Sequence, residues 1–313
     1  MTTNRKLDDA ARAAWLYYVA GNTQDQIATK LGVSRQSAQR LVSLAVAEGL
    51  VKVRIDHPIA NCLDLARQLV ARFGLTYCDV APTDPEATSS TIGIAELGAA
   101  EMERWLRRSE PIVIAIGTGR SLRAAVEQLP RIDCPQHKVV SLTGNISPDG
   151  SAAFYNVIFS MTDRITARAF PMPLPVIASS AEERDMLRAQ PMIRRTVEMA
   201  SRADVAFVGI GELDDDAPLV MDGFLTPGDV ARLREAGAVG EIFGWAFDAE
   251  GKLAGSINER VASSPIPDVG RTSVIAIAKG PRKLPGIAAA IRGHLVNGLI
   301  TDEATAQALL NQE

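Results

Sequence analysis

A short loop at residues 117–121, with the sequence Gly-Thr-Gly-Arg-Ser, has the residue types best suited to binding an anion. This glycine loop follows an apolar run at residues 112–116, and a helical pattern begins at about Leu122. Its glycines let backbone amides approach a ligand, Thr118 and Ser121 add hydroxyl donors, and the helix N-terminus adds a favourable dipole. The loop is not a P-loop, because Gly-Lys-Ser/Thr is missing. The pattern therefore indicates an anion site, with a plain tight turn as the open alternative.

Three other apolar runs end in loops rich in glycine or basic residues. The runs occupy residues 139–142, 205–208 and 274–278, and the loops occupy residues 143–145, 209–211 and 279–283. Short apolar strands that alternate with helical patterns are typical of a layered α/β domain. Because ligands in open α/β sheets bind at the carboxyl ends of strands, we expect these loops and the glycine loop to converge on one site.

The N-terminal segment differs from the rest of the chain in charge. The 313 residues carry a formal net charge of −4, yet residues 1–55 contain eight Lys and Arg against four Asp and Glu. The remainder contains 25 bases and 33 acids. The N-terminal segment, residues 1–55, is called the head below. A basic head in an otherwise acidic chain is expected when only the head contacts the phosphates of DNA.

The same segment has the pattern of a helix-turn-helix. Apolar residues recur at helical spacing in a first helix, at Leu7, Ala11, Ala14, Trp15 and Tyr18. A capping box at residues 23–26 begins a second helix, Gly32 supplies a tight turn, and Ser34 caps a third helix with a donor-rich outer face. Alternating apolar and basic residues at 50–55 then predict a strand or wing. The residues predicted to contact DNA are Thr23, Gln24, Ser34, Arg35, Gln36, Gln39, Arg40 and Lys52.

His57-Pro58 interrupts the predicted wing and marks a boundary. We therefore predict a DNA-binding domain at residues 1–56 and an effector-binding, oligomerising domain at residues 57–313. No apolar run approaches the roughly 18 residues that cross a bilayer, and no signal-peptide core is present, so a cytoplasmic location without membrane contact is expected. Three cysteines and three histidines are scattered without ligand spacing, so we expect neither a metal site nor a disulfide, and no cofactor.

The order of these segments resembles the SorC/DeoR-type family of sugar-binding transcriptional regulators, over almost the whole chain. The segments that carry the resemblance are residues 23–41, the glycine loop, and residues 208–212, 240–244, 247–248, 280–283 and 297–306. The resemblance implies an α/β effector domain with the fold of ribose-phosphate isomerases and glucosamine-phosphate deaminases. It also implies a phosphorylated sugar or polyol as effector and a homo-oligomer, either a dimer or a tetramer.

Carried over by position, the resemblance assigns roles to individual residues. It implies that the phosphate is held by Gly117, Thr118, Gly119, Arg120, Ser121 and Lys283. It implies that the sugar is lined by Gly144, Asn145, Gly209, Gly211 and Asp248. Two positions depart from the family pattern: Asn145 stands where a second glycine is usual, and Lys279 stands where a glycine is common. Both departures bear on which effector is chosen.

Three functions are compatible with these patterns. The first is a regulator, most simply a repressor, of carbohydrate or polyol catabolism genes, which binds double-stranded operator DNA. The second is a sugar-phosphate isomerase- or deaminase-like enzyme with an appended DNA-binding head, for which Glu212 and the acids at residues 214–216 are the available proton-transfer groups. The third is a protein-interaction module whose three N-terminal helices merely expose a solvated polar face. Glycine loops at strand ends and the basic head favour the first, so we expect the protein not to be an enzyme.

Overall fold

A computed structural model describes residues 2–48, 50–51, 59–87, 89–151 and 156–312. Contacts between residues divide the chain into two compact units, residues 1–57 and residues 58–313. Within the described ranges, no helix is both long enough and apolar enough to cross a membrane.

The first unit consists of three helices, α1 (Thr2–Tyr18), α2 (Gln24–Leu31) and α3 (Arg35–Ala47). The predicted capping box is present, because Thr23 Oγ1 accepts from the Gln26 amide while Gln26 Oε1 accepts from the Thr23 amide. Ser34 caps α3 as expected. The predicted apolar stripe of the first helix is wrong in part. Small residues pack α1 against α3, and Ala11, Trp15 and Tyr18 are exposed. Among residues 6–18 of α1, the buried residues are Ala10, Ala13 and Ala14.

The second unit is built on a seven-stranded, wholly parallel sheet with the order β1-β9-β8-β5-β2-β3-β4. Its strands are β1 (Tyr77–Ala81), β2 (Val113–Ile116), β3 (Lys138–Ser141), β4 (Arg168–Phe170), β5 (Val205–Val208), β8 (Ser273–Ile277) and β9 (Gly298–Asp302). The remaining strands, β6 (Ala238–Ile242) and β7 (Trp245–Asp248), form an antiparallel hairpin. The expected α/β architecture of this domain is thereby confirmed.

Helices cover both faces of the sheet. The helices of this unit are α4 (Ala60–Phe73), α5 (Ile92–Leu106), α6 (Arg120–Gln128), α7 (Val157–Thr162), α8 (Ala181–Ala189), α9 (Pro191–Ala200), α10 (Pro218–Met221), α11 (Pro227–Glu235), α12 (Leu284–Arg292) and α13 (Glu303–Leu310), with 3-10 turns at Ser256–Arg260 and Pro281–Lys283. Alternate strand residues enter different buried clusters, so that Ala206 and Val208 pack with α4 and α12, whereas Val205 and Phe207 pack with α5 and α6. Burial on both faces explains why these strands are continuous apolar runs in the sequence.

A smaller apolar cluster joins the β6–β7 hairpin to α10, α11 and the segment at residues 176–177. The hairpin turns at Phe243 and Gly244, whose φ angles are 37° and 98°. A Cβ on Gly244 would lie 2.9 Å from Val176 Cγ1, so the turn is pressed against this segment. The hairpin turn is thereby fixed at the carboxyl edge of the sheet, where Phe243 and Glu241 border the same cleft as the glycine loop.

Candidate effector and DNA-binding sites

The loops predicted to converge do so at the carboxyl ends of neighbouring strands. Strands β8, β5, β2 and β3 are consecutive in the sheet, so the loops that follow them lie side by side. Two clefts open between these loops. The inner cleft, with about 70 Å³ of water-accessible space, lies between the glycine loop, residues 209–211 and the β6–β7 turn. The outer cleft, with about 770 Å³ of water-accessible space, lies between the glycine loop, residues 279–284 and the start of α13.

The glycine loop has the backbone geometry expected of an anion site. Gly117 still belongs to the sheet ladder, because its amide donates to the Phe207 carbonyl at 2.9 Å. Gly119 has a φ of 119°, which favours glycine, and α6 begins at the next residue. A Cβ on Gly209 would lie 3.2 Å from the Thr118 carbonyl, so the loops after β2 and β5 approach closely. Thr118, Gly119 and Ser121 line the inner cleft.

The cationic side chains of Arg120 and Lys283 border both clefts, and both lie close to the buried carboxylate of Glu212. Lys283 Nζ donates to the Ile210 carbonyl at 2.7 Å and lies 3.5 Å from Glu212 Oε2. The Arg120 guanidinium lies 3.4 Å from Glu212 Oε1. The structure thus brings Lys283 to the glycine loop as predicted from the sequence, although the two are far apart in the chain.

Two further carboxylates line the inner cleft, and they were not among the predicted site residues. Glu241 Oε2 accepts from the Gly244 amide at 2.7 Å, and burial raises the pKa of Glu241 above its ordinary value. Burial also raises the pKa of Asp222. A Cβ on Gly211 would lie 1.8 Å from Glu241 Oε1, so the Glu241 side chain would have to move if residue 211 carried a side chain. Glu241 lies in residues 240–244, one of the segments that carry the family resemblance, so the sequence could have identified it as a site residue. Nothing in the sequence around Asp222 marks Asp222 as a site residue.

The remaining predicted sugar-side residues lie in three different settings. Gly209, Gly211 and Gly144 line the inner cleft, and a Cβ on Gly144 would lie 2.3 Å from the Leu174 carbonyl. Asn145 is buried beside it, with an Oδ1 atom that has no hydrogen-bond partner among the described residues. Asp248 lies elsewhere, because it ends β7 at the opposite end of the hairpin from the β6–β7 turn. Its Oδ1 accepts from the amides of residues 250 and 252, so Asp248 stabilises a turn and does not line the inner cleft.

The outer cleft contains a buried ion pair at the position where the sequence departs from the family pattern. Lys279 Nζ lies 2.8 Å from Asp302 Oδ2, and the two side chains are only 10% and 5% exposed. Asp302 also caps α13 through the Thr305 amide at 3.0 Å. Lys279 therefore holds β8 to the start of α13 and is not free to bind a ligand.

The outer face of α3 is the candidate DNA-binding surface. It carries exposed side chains at Arg35, Gln36, Gln39 and Arg40. Arg35 is engaged within the head, because its Nε lies 3.5 Å from Asp25 Oδ1. Thr23 and Ser34 are exposed helix caps, and Gln24 is half-buried at the start of α2. The last predicted DNA contact, Lys52, and most of the predicted wing lie outside the described residues.

Two family models match the chain. Residues 57–311 match the family described as "Putative sugar-binding domain", and residues 4–54 match the family described as "Homeodomain-like domain". The first match covers most of the chain and includes both clefts. The second covers the three helices of the head except for the first two residues of α1.

Known regulators are similar to the chain along nearly its whole length. The erythritol catabolism regulatory protein EryD of Brucella abortus is 37% identical over 304 residues, which cover 97% of this chain and 96% of that protein. The transcriptional regulator LsrR of Enterobacter sp. is 30% identical over 307 residues, which cover 96% and 92%. The crystal structure of the full-length sorbitol operon regulator SorC from Klebsiella pneumoniae matches with a TM-score of 0.71 at 26% identity, covering 97% of this chain and 99% of that one.

A helix-turn-helix unit followed by an α/β domain with a cleft at its strand ends is the arrangement of a ligand-responsive transcriptional regulator. The chain belongs to the SorC/DeoR-type family of sugar-binding transcriptional regulators. The prediction of a DNA-binding regulator rather than an enzyme is confirmed, because these relatives are regulators. The isomerase or deaminase alternative finds no support among them.

Proposed function

We propose that this protein represses carbohydrate or polyol catabolism genes and responds to a phosphorylated sugar or polyol bound in the inner cleft. The observation that carries the proposal is the meeting of the glycine loop, the N-terminus of α6 and Lys283 at one point of the cleft. Backbone amides, hydroxyls, a helix dipole and a lysine together match the charge and the acceptor oxygens of a phosphate. We therefore assign the phosphate to residues 118–121 of the glycine loop and to Lys283, whereas the Gly117 amide is already used in the sheet.

The other end of the inner cleft suits a chain of hydroxyl groups. Glu241 and Asp222 offer carboxylate oxygens, which accept hydrogen bonds from ligand hydroxyls. Apolar atoms of the ligand backbone would face the walls formed by Val176, Leu219 and Phe224. The similarity to a regulator named for erythritol catabolism favours a polyol or a related sugar.

Isothermal titration calorimetry tests this assignment directly. A phosphorylated polyol such as erythritol 4-phosphate should bind more tightly than the same polyol without phosphate. A gel-shift titration with operator DNA should then show that only the phosphorylated ligand changes DNA affinity, since a ligand acts through its differential affinity for two states. Equal affinity for the two ligands would contradict the phosphate assignment.

Arg40→Ala is expected to weaken operator binding by about 1–3 kcal/mol, the scale of one good base contact. Arg40 is exposed on α3, and its side chain has no ion-pair partner among the described residues. Arg35→Ala should weaken operator binding less than Arg40→Ala does, because Arg35 must break its ion pair with Asp25 before it can contact DNA. Gel-shift titrations on operator and on unrelated DNA provide the measurement. If both substitutions leave operator affinity unchanged, α3 is not the recognition helix.

The protein is expected to be at least a dimer, and the family resemblance favours a tetramer. A single head buries too little surface to select one genomic site, whereas two heads read two half-sites. Multi-angle light scattering should therefore give at least twice the chain mass of 33.4 kDa at micromolar concentration. A mass equal to that of one chain would overturn this prediction.

A further inference from the structure

We propose that Glu212 is an internal counter-ion that occupies the phosphate-binding cations in the absence of ligand and sets the affinity of the site. The inference rests on the phosphate site proposed above. Glu212 is 7% exposed and lies on the rim of the outer cleft, directly after the β5 loop. Its two oxygens point at different cations, Oε1 at Arg120 and Oε2 at Lys283.

The contacts of this carboxylate are long and incomplete. The distances to Arg120 and Lys283 are 3.4 Å and 3.5 Å, whereas charge-assisted hydrogen bonds are usually about 2.7–2.9 Å. Glu212 Oε2 is buried and makes no hydrogen bond to the described residues. A buried carboxylate oxygen without a hydrogen bond is unfavourable, so this arrangement is one that a better anion can replace.

The cations retain the capacity to bind such an anion. Lys283 uses one of its three N–H donors on the Ile210 carbonyl, and Arg120 has a half-exposed side chain with further donors. A phosphate monoester carries a charge of about −1.5 to −2 near neutral pH, which two cations balance. The charge of Glu212 opposes that of the phosphate, so it lowers phosphate affinity and excludes weaker anions. Glu212 is thus a positioning and selectivity residue.

Glu212→Gln should bind inorganic phosphate about tenfold more tightly than the wild-type protein, an effect between the Coulomb limits for water and for a protein surface. Calorimetry on the full-length protein at constant ionic strength provides the measurement. Asp215→Asn is the matched control, because it removes an exposed acid of the same loop that pairs with Arg234 outside both clefts. It should leave phosphate affinity unchanged. Glu212→Ala, which also lacks the charge, should bind phosphate more tightly than wild type as well.

If the role of Glu212 is purely structural, its substitution should change phosphate affinity in the opposite direction. If Glu212 only held Arg120 and Lys283 in place, both substitutions would weaken phosphate binding. An equal or weaker affinity in Glu212→Gln, with wild type binding phosphate, would overturn the counter-ion role alone. If neither wild type nor variant binds phosphate or a phosphorylated polyol, the proposed phosphate site is wrong, and the counter-ion role is wrong with it.

Discussion

Lys279→Met should lower the free energy of unfolding of the sugar-binding domain by about 3–5 kcal/mol, the cost of removing one partner of a buried ion pair. The pair with Asp302 is almost fully buried, so the remaining carboxylate would stay in a protein interior without its cation. Urea denaturation measured by tryptophan fluorescence in a Trp15→Phe background gives this value for the domain, because the two remaining tryptophans, Trp105 and Trp245, lie within it. Lys252→Met, at an exposed lysine, is the control and should be nearly neutral.

The effect of Lys279→Met should depend on pH. Burial acts to raise the pKa of Asp302, but hydrogen bonds from Lys279 and Thr305 outweigh burial and hold the pKa below its ordinary value. A carboxyl with a depressed folded pKa stabilises the fold above its unfolded pKa of about 4, and this contribution is lost as pH falls through the folded pKa. Without Lys279, the effect of burial, which raises the pKa of Asp302, is opposed by fewer hydrogen bonds. The difference in stability between variant and wild type should therefore be largest near neutral pH and shrink as the solution is acidified.

A second substitution separates loss of the ion pair from general damage to the fold. Lys279→Met combined with Asp302→Asn leaves no unpaired charge and keeps a side chain that caps α13 well. The double variant should recover most of the lost stability, since neutral replacement of a buried ion pair is often tolerated. If the double variant is as unstable as Lys279→Met alone, the ion pair is not the cause.

Local features of the fold could be predicted from the sequence because their partners are close in the chain. The capping box of Thr23 and the cap at Ser34 depend on residues three positions apart, and both are present. The four apolar runs became neighbouring strands because continuous apolar segments are buried on both faces of a parallel sheet. Which face of α1 is buried could not be predicted in this way, since close packing against α3 selects alanines over Trp15.

Contacts between distant residues explain what the sequence could not predict about the candidate site. Glu212 meets Arg120 across 92 positions, and no periodicity specifies that pairing. Asp222 and Glu241 reach the inner cleft because α10 and the β6–β7 hairpin fold over it. Asp248 has the same chemistry as Asp222, yet it lies at the far end of the hairpin and serves a turn. Residue type alone does not distinguish these carboxylates.

Lys283→Ala is expected to weaken binding of a phosphorylated sugar or polyol by about 1.5–3 kcal/mol, the range for hydrogen bonds to a charged group. This corresponds to roughly 10- to 150-fold in dissociation constant. The plain polyol should lose much less affinity, because its hydroxyls are assigned to Glu241 and Asp222 at the other end of the cleft. DNA binding without ligand should be nearly unchanged, since the recognition helix belongs to the other unit.

Calorimetry with Lys283→Ala and Arg282→Ala distinguishes the two clefts. Arg282 belongs to the same 3-10 turn but lines only the outer cleft, and its guanidinium is already paired with Asp214 and Asp216. A phosphate held at the glycine loop should therefore depend on Lys283 far more than on Arg282. Equal losses in the two variants would move the phosphate into the outer cleft. An unaffected Lys283→Ala protein would remove Lys283 from the site, because a lysine that touches the phosphate cannot be lost without cost.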